Sequence, residues 1–208
     1  MKEKQLYIAK QNKGFEPRAQ NLFYYGEKMK RKIRKSILNL MKKIPINEES
    51  LYKKLFESSL WNDAKTVALT MSTDDELNTM PIIERGLAEK KQILIPKTFA
   101  KGKMEFFEFT SINDLCKTKF GILEPNGEQE PIKKNEIDLI IVPGIAFSKI
   151  NNQRIGYGGG FYDRYLQNYQ GKTVSLVRKI QLVDSKWIPE LTDVPVQNLI
   201  VEEINDEK

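Results

Sequence analysis

"IDLIIVPG" (residues 137–144) is an apolar run stopped by Pro143 and Gly144, and "RIGYGGGFYDRYL" (154–166) follows it closely. An uninterrupted run of Leu, Ile and Val reads as a strand buried on both faces, as in a parallel sheet covered by helices. Working outward, "TVALTM" (66–71), "QILIP" (92–96), "MEFFEF" (104–109), "TVSLV" (173–177) and "NLIVEE" (198–203) have strand character. Helical spacing separates them. Ile33, Ile37, Leu40, Met41 and Ile44 recur at three- and four-residue steps from Lys28 to Pro45. Asn47 is placed to cap a second helix carrying Leu51, Leu55 and Phe56, and a helix over 79–90 has Pro81 in its first turn. A further helix is expected from near Gly160 to Gln170, and "FGILEP" (120–125) reads as a loop. Strands alternating with helices predict one α/β domain with a largely parallel sheet over residues 28–208. Residues 1–27 read as an N-terminal extension.

Composition narrows the chemistry. The 208 residues are 40% hydrophobic and 30% charged, with a net charge of +6. Residues 1–43 carry 13 Lys and Arg against three Glu, so the basic excess belongs to the N-terminal segment. Three readings stay open for it: contact with nucleic acid, a solvated helix face, or cations brought to a phosphate-bearing ligand. A single cysteine, Cys116, rules out an internal disulfide and suits a reducing compartment. No apolar run approaches the roughly 20 residues of a membrane span, and the N-terminus lacks the apolar core of a secretory signal. A cytoplasmic location and no membrane partner are therefore expected. The chain has no histidine, which excludes Ser-His-Asp hydrolysis, Cys-His catalysis and His-ligated zinc. Carboxylates, Lys, Arg, Tyr, backbone dipoles and a hard cation remain, an inventory suited to phosphoryl transfer.

The glycine cluster has a physical use. A strand, a glycine-rich loop and a helix start bring backbone N–H groups around one point, where the helix dipole adds positive potential for a phosphate. The stretch is neither a P-loop nor the dinucleotide fingerprint. Arg154 is suited to a phosphate oxygen, and Asp163 to a Mg²⁺ that bridges phosphates. A tight structural turn is the bland alternative. In "KRKIR" (30–34), Lys30 and Arg34 share a helix face. "STDDELNT" (72–79) follows a strand end, where α/β folds bind ligands, although such a polar loop has an ordinary structural reading too. Asp193 in "LTDVPVQN" (191–198) is a second carboxylate.

Taken together these stretches resemble the 5-formyltetrahydrofolate cyclo-ligase family over residues 28–203. The resemblance is carried by "IIVPGIAFSKINNQRIGYGGGFYDRYL" (140–166), with "KRKIR", "MSTDDELNT", "ILIPK" (93–97), "FGILEP" and "TDVPV" (192–196) as shorter anchors. It implies a three-layer α/β/α fold and an ATP- and Mg²⁺-dependent conversion of 5-formyltetrahydrofolate to 5,10-methenyltetrahydrofolate, a ligase reaction that closes a carbon–nitrogen bond. By resemblance, ATP is bound by Lys30, Arg31, Lys32, Ile33 and Arg34, and by Arg154, Ile155, Gly156, Tyr157, Gly158, Gly159, Gly160, Phe161 and Tyr162. Folate is contacted by Met71, Glu76 and Phe120, together with Tyr157, Gly158, Gly159, Gly160 and Phe161. Asp163 and Asp193 hold Mg²⁺, and Arg154 and Asp163 carry the catalysis. A small-molecule partner, no nucleic acid and a monomer are expected, with a dimer as the alternative. The other class of function weighed is a noncatalytic folate or nucleotide binder on the same scaffold. Two departures from the family pattern stand out: Phe161 where many members have Tyr, and Gln197 where Asp is frequent.

Overall fold

The structure is a computed structural model that describes residues 19–73, 76–119, 121–127, 129–184, 187 and 189–203, with side chains from residue 26 onward. Helix α1 spans Ala19–Met41, α2 Glu48–Glu57, α3 Ser59–Asp63, α4 Met80–Ala88 and α5 Phe161–Leu166. The main sheet contains β1 (Thr66–Ala68), β2 (Gln92–Thr98), β3 (Met104–Glu108), β6 (Leu139–Ile141), β9 (Lys172–Val177) and β11 (Asn198–Val201). Between them run β4 (Leu115–Lys117), β5 (Leu123–Pro125), β7 (Ala146–Ser148), β8 (Arg154–Ile155) and β10 (Leu182–Val183).

The six-stranded order is β11-β9-β6-β1-β2-β3, parallel except for the antiparallel β2–β3 pair. Side-chain alternation divides the core into two layers. Val67, Leu69, Ile93, Ile95, Leu139, Ile141, Val174 and Leu176 face α2, α3 and α4, which contribute Leu51, Leu55, Trp61, Ile82 and Ile83. Ala68, Leu94, Ile140 and Val142 point the other way, against Tyr165 and Leu166 of α5 and against Met104 and Phe106. Helices on both faces of a mostly parallel sheet are the α/β/α sandwich expected. Asn47 caps α2 by accepting from the Ser50 N–H at 3.2 Å, and Pro81 sits in the first turn of α4.

Several boundaries differ from the sequence reading, each for a local reason. Helix α1 already runs from Ala19, upstream of Lys28. Its inner face is Ile33, Ile37, Leu38 and Met41, packed on Ile145, Ala146, Ile155 and Trp187, whereas Leu40 and Ile44 are exposed. Helix α5 stops at Leu166: Gln167 turns extended and Asn168 takes a left-handed φ of 62°. "ILEP" is not a plain loop, because β5 pairs with β4 as a hairpin. The chain between β6 and the glycine cluster forms a separate small sheet, β10-β7-β8, whose two- and three-residue strands are too short to show a period.

Candidate active site

The glycine loop leaves β8 and enters α5, so it springs from the small sheet rather than from β6. Its carbonyls are tied back by arginines. Arg34 Nε donates to the Gly156 carbonyl at 2.8 Å, and Arg164 donates from Nη2 to the Gly159 carbonyl and from Nε to the Gly102 carbonyl at 3.0 Å. Gly158 and Gly160 take φ of 105° and 65°, in the left-handed region that favours glycine, most strongly at Gly158. No described residue accepts from the N–H groups of Gly158, Gly159 or Gly160. With the carbonyls held away and the N–H groups left over among the described residues, the loop has the donor pattern that suits an anion. Helix α5, with six residues, adds little dipole, so the arginines and amides carry the potential.

Beneath the loop, Arg154 is 6% exposed and pairs with Asp163, Nη2 to Oδ1, at 3.1 Å. Burial pulls its pKa down and the Asp163 carboxylate pushes it back up. Asp163 Oδ1 also accepts from the Val194 N–H at 3.2 Å, which brings the neighbouring Asp193 to the same corner. Asp193 Oδ2 accepts from Lys30 at 2.6 Å, and Glu190 accepts from Lys30 at 2.8 Å. Lys30 thereby holds α1 to the 190–193 turn. Burial lowers its pKa, but hydrogen bonds to Asp193 and Glu190 outweigh that and leave it raised.

A cleft opens at the carboxyl ends of β1, β6 and β9, lined by Thr70, Glu76, Val142, Pro143, Arg178 and Gln181 among others. Strand order reverses between β1 and β6, and parallel sheets bind ligands at such a switch point. Glu76 is anchored through one oxygen, Oε2, which accepts from the Thr73 N–H and hydroxyl, both at 2.9 Å. Tyr162, in the first turn of α5, packs in the α5-side core. Arg154 lies 5.6 Å from its ring centre, and burial raises the pKa of its phenol, with Arg154 lowering it and Glu76 raising it.

The family model described as the 5-formyltetrahydrofolate cyclo-ligase family matches residues 27–202. The chain belongs to that family. Among relatives named 5-formyltetrahydrofolate cyclo-ligase, that of Haemophilus influenzae is 36% identical over 145 residues, covering 66% of this chain and 76% of that one. That of Escherichia coli K12 is 33% identical over 143 residues, covering 66% and 78%. A Schizosaccharomyces pombe relative is 38% identical over 125 residues, and there the match spans only 61% of the relative's length. The NMR structure of 5,10-methenyltetrahydrofolate synthetase from Aquifex aeolicus superposes with a TM-score of 0.72 at 26% identity, covering 85% of this chain and 91% of that one. The family expected from the sequence, and the enzyme class its members' names carry, are thus borne out.

Within the family fold, the predicted residues divide by position. Arg34 faces the loop and Lys30 the 190–193 turn, while Arg31 and Lys32 are exposed and Ile33 packs with the third cluster. Tyr157 is 56% exposed at the loop tip, Phe161 packs with the α5-side core, and Ile155 is buried. Met71 is buried in the α2-side core and does not line the cleft that Glu76 lines. Phe120 lies outside the described residues, as do residues 1–18 of the extension. Gln197 is structural here. It receives the Thr173 N–H at 3.2 Å and donates to Thr173 Oγ1 and to the Gly171 carbonyl, stitching β9 to the approach of β11.

A divalent cation has a modest but suitable donor set. Among the described residues no group of three or more His, Cys, Asp or Glu forms a cage. Asp163 and Asp193 each use one oxygen for their hydrogen bonds to described residues, leaving Oδ2 of Asp163 and Oδ1 of Asp193. Mg²⁺ suits such a site, since it takes one or two carboxylates and fills its shell with phosphate and water. Glu190, Arg164, Arg178 and Gln181 were not anticipated. For the last two the available signal was position, directly after β9 at the carboxyl edge of the sheet.

Proposed function

We propose that this chain uses ATP and Mg²⁺ to convert 5-formyltetrahydrofolate into 5,10-methenyltetrahydrofolate, releasing ADP and phosphate. What carries the reading is that α1 borders both the glycine loop, through Arg34, and the acid-bearing cleft, through Met41. The free N–H groups of Gly158, Gly159 and Gly160 and the remaining Arg34 donors receive the terminal phosphates. Lys30 and Arg154 add positive potential behind them. Glu76, held through Oε2, offers Oε1 to the pterin's ring N–H and amino group. In this reading the 5-formyl oxygen is the nucleophile that meets the γ-phosphorus. Oxygen attack releases ADP and leaves an iminium phosphate. N10 then bonds to the formyl carbon as that carbon's bond to oxygen breaks, N10 loses its proton, and phosphate departs with the former formyl oxygen. No covalent enzyme nucleophile is required, so the lack of histidine is no handicap. Asp163 and Asp193 would hold Mg²⁺, which, when bound, offsets phosphate charge.

The test is a mixing experiment. The chain, 5-formyltetrahydrofolate and MgATP should generate the near-ultraviolet absorbance of the methenyl product, and omission of ATP should abolish it. Arg34→Ala, at a half-buried surface site, should lower turnover about 100-fold, the scale of losing a charge-stabilising donor. Binding of both ligands without product would establish a noncatalytic binder and reject the proposal.

A further inference from the structure

Arg178 is an unusual occupant of the cleft wall. It is 5% exposed, and no carboxylate among the described residues forms an ion pair with it. Its Nη1 donates to the Met41 carbonyl at 3.2 Å and its Nη2 to the Ile44 carbonyl, capping the end of α1. A guanidinium has five N–H groups, so three are left without an acceptor among the described residues, including the buried Nε–H. A buried cation with unspent donors is costly unless a ligand supplies the acceptor. Gln181 holds it in place. Its Oε1 accepts from the Arg178 backbone N–H at 2.9 Å, while its Nε2 donates to the carbonyls of Gly144 and Ile145 at 2.8 and 3.3 Å. Gln181 is therefore saturated, and the free donors belong to Arg178. Glu76 lines the same cleft as an acceptor.

We infer that Arg178 reads the keto oxygen of the pterin, setting the preference for a 2-amino-4-oxo ring. This rests on the proposed folate site. The ring's edge presents two donors and then one acceptor: the amino group and ring N–H meet Glu76, and the oxygen requires a donor, which Arg178 has unspent. A 4-amino ring would bring a donor against a cation, a repulsive element that rejects it.

The experiment compares binding of 5-formyltetrahydrofolate and its 4-amino counterpart by titration calorimetry, for the parent chain, Arg178→Lys and Arg178→Met. The parent should prefer the 4-oxo ligand, and both variants should lose about 10- to 100-fold of that preference, the span of one hydrogen bond to a charged group. ADP binding and the thermal transition verify that the variants are folded. A parent chain that binds both ligands equally overturns the inference, whether or not the variants fold. So does an equal loss for both ligands in a folded variant, as a contact to the glutamate tail would produce. Failure of the folate reading itself looks different: no formyl-folate bound by any chain, and no methenyl product.

Discussion

Arg154 and Asp163 are bound into one another's energetics. Their side chains are 4% and 20% exposed, and Asp163 is the one described carboxylate paired with Arg154. Removing the carboxylate strands a buried cation. Asp163→Ala should therefore cost about 3 kcal/mol of stability, the low end for breaking a buried pair. Asp163→Asn should cost less, because the amide oxygen still accepts from the Val194 N–H. Urea midpoints at constant m-value measure both, and equal losses would mean that charge is not the operative quantity. Gly158 offers a cleaner probe of the loop. A Cβ there has 3.8 Å to the nearest Arg34 atom, so space is available and only φ of 105° is strained. Gly158→Ala should lose about 1–3 kcal/mol of stability and, with its N–H displaced, weaken ATP binding before folate binding. Direct titration with each ligand tests that order.

At the scale of elements, α1 is the part whose position depends on a few contacts. It docks through Ile33, Ile37, Leu38 and Met41, through Arg34 on Gly156, through Arg178 on its final carbonyls, and through Lys30 on Glu190 and Asp193. The Lys30 linkage has a defined sign. Its folded pKa is raised above the ordinary 10.5, so its contribution is complete below that value and is lost as pH climbs through the folded pKa. Hydrogen exchange of α1 amides should therefore accelerate above about pH 10.5 relative to α2. Lys30→Met, which keeps the stem, should remove that extra acceleration and raise α1 exchange already at pH 7. Unchanged α1 protection in Lys30→Met would show that the apolar face alone holds the helix.

Across the whole molecule, the sheet places two regions of different chemistry against each other. The β1–β6 reversal opens the cleft, and α1 borders both that cleft, through Met41, and the glycine loop, through Arg34. Ligands seated at two places along one helix should influence each other. A nonhydrolysable ATP analogue is expected to tighten folate binding at least fivefold by calorimetry, the lower end of ordinary coupling between sites. Reciprocal titration must return the same factor. Independent binding would separate the loop from the cleft and remove the geometric basis for direct phosphoryl transfer.

The sequence by itself determined the layered α/β class, because burial on both faces writes itself as the unbroken run Leu139–Val142, and helices as three- and four-residue spacing. It also determined the chemistry available, since a chain without histidine and with a glycine cluster beside Arg154 has few alternatives. Family likeness singled out Lys30, Glu76 and Asp193, residues that spacing alone left ambiguous. Tertiary structure decided the rest. Strands of two or three residues such as β8 and β10 leave no period to read, so the origin of the glycine loop in a second sheet was hidden. The pairing of Lys30 with Asp193 spans 163 positions, and nothing local in either segment encodes it. Arg178 became a candidate ligand contact only when folding buried it with donors unspent: desolvation is a property of the packed surroundings, not of the residue.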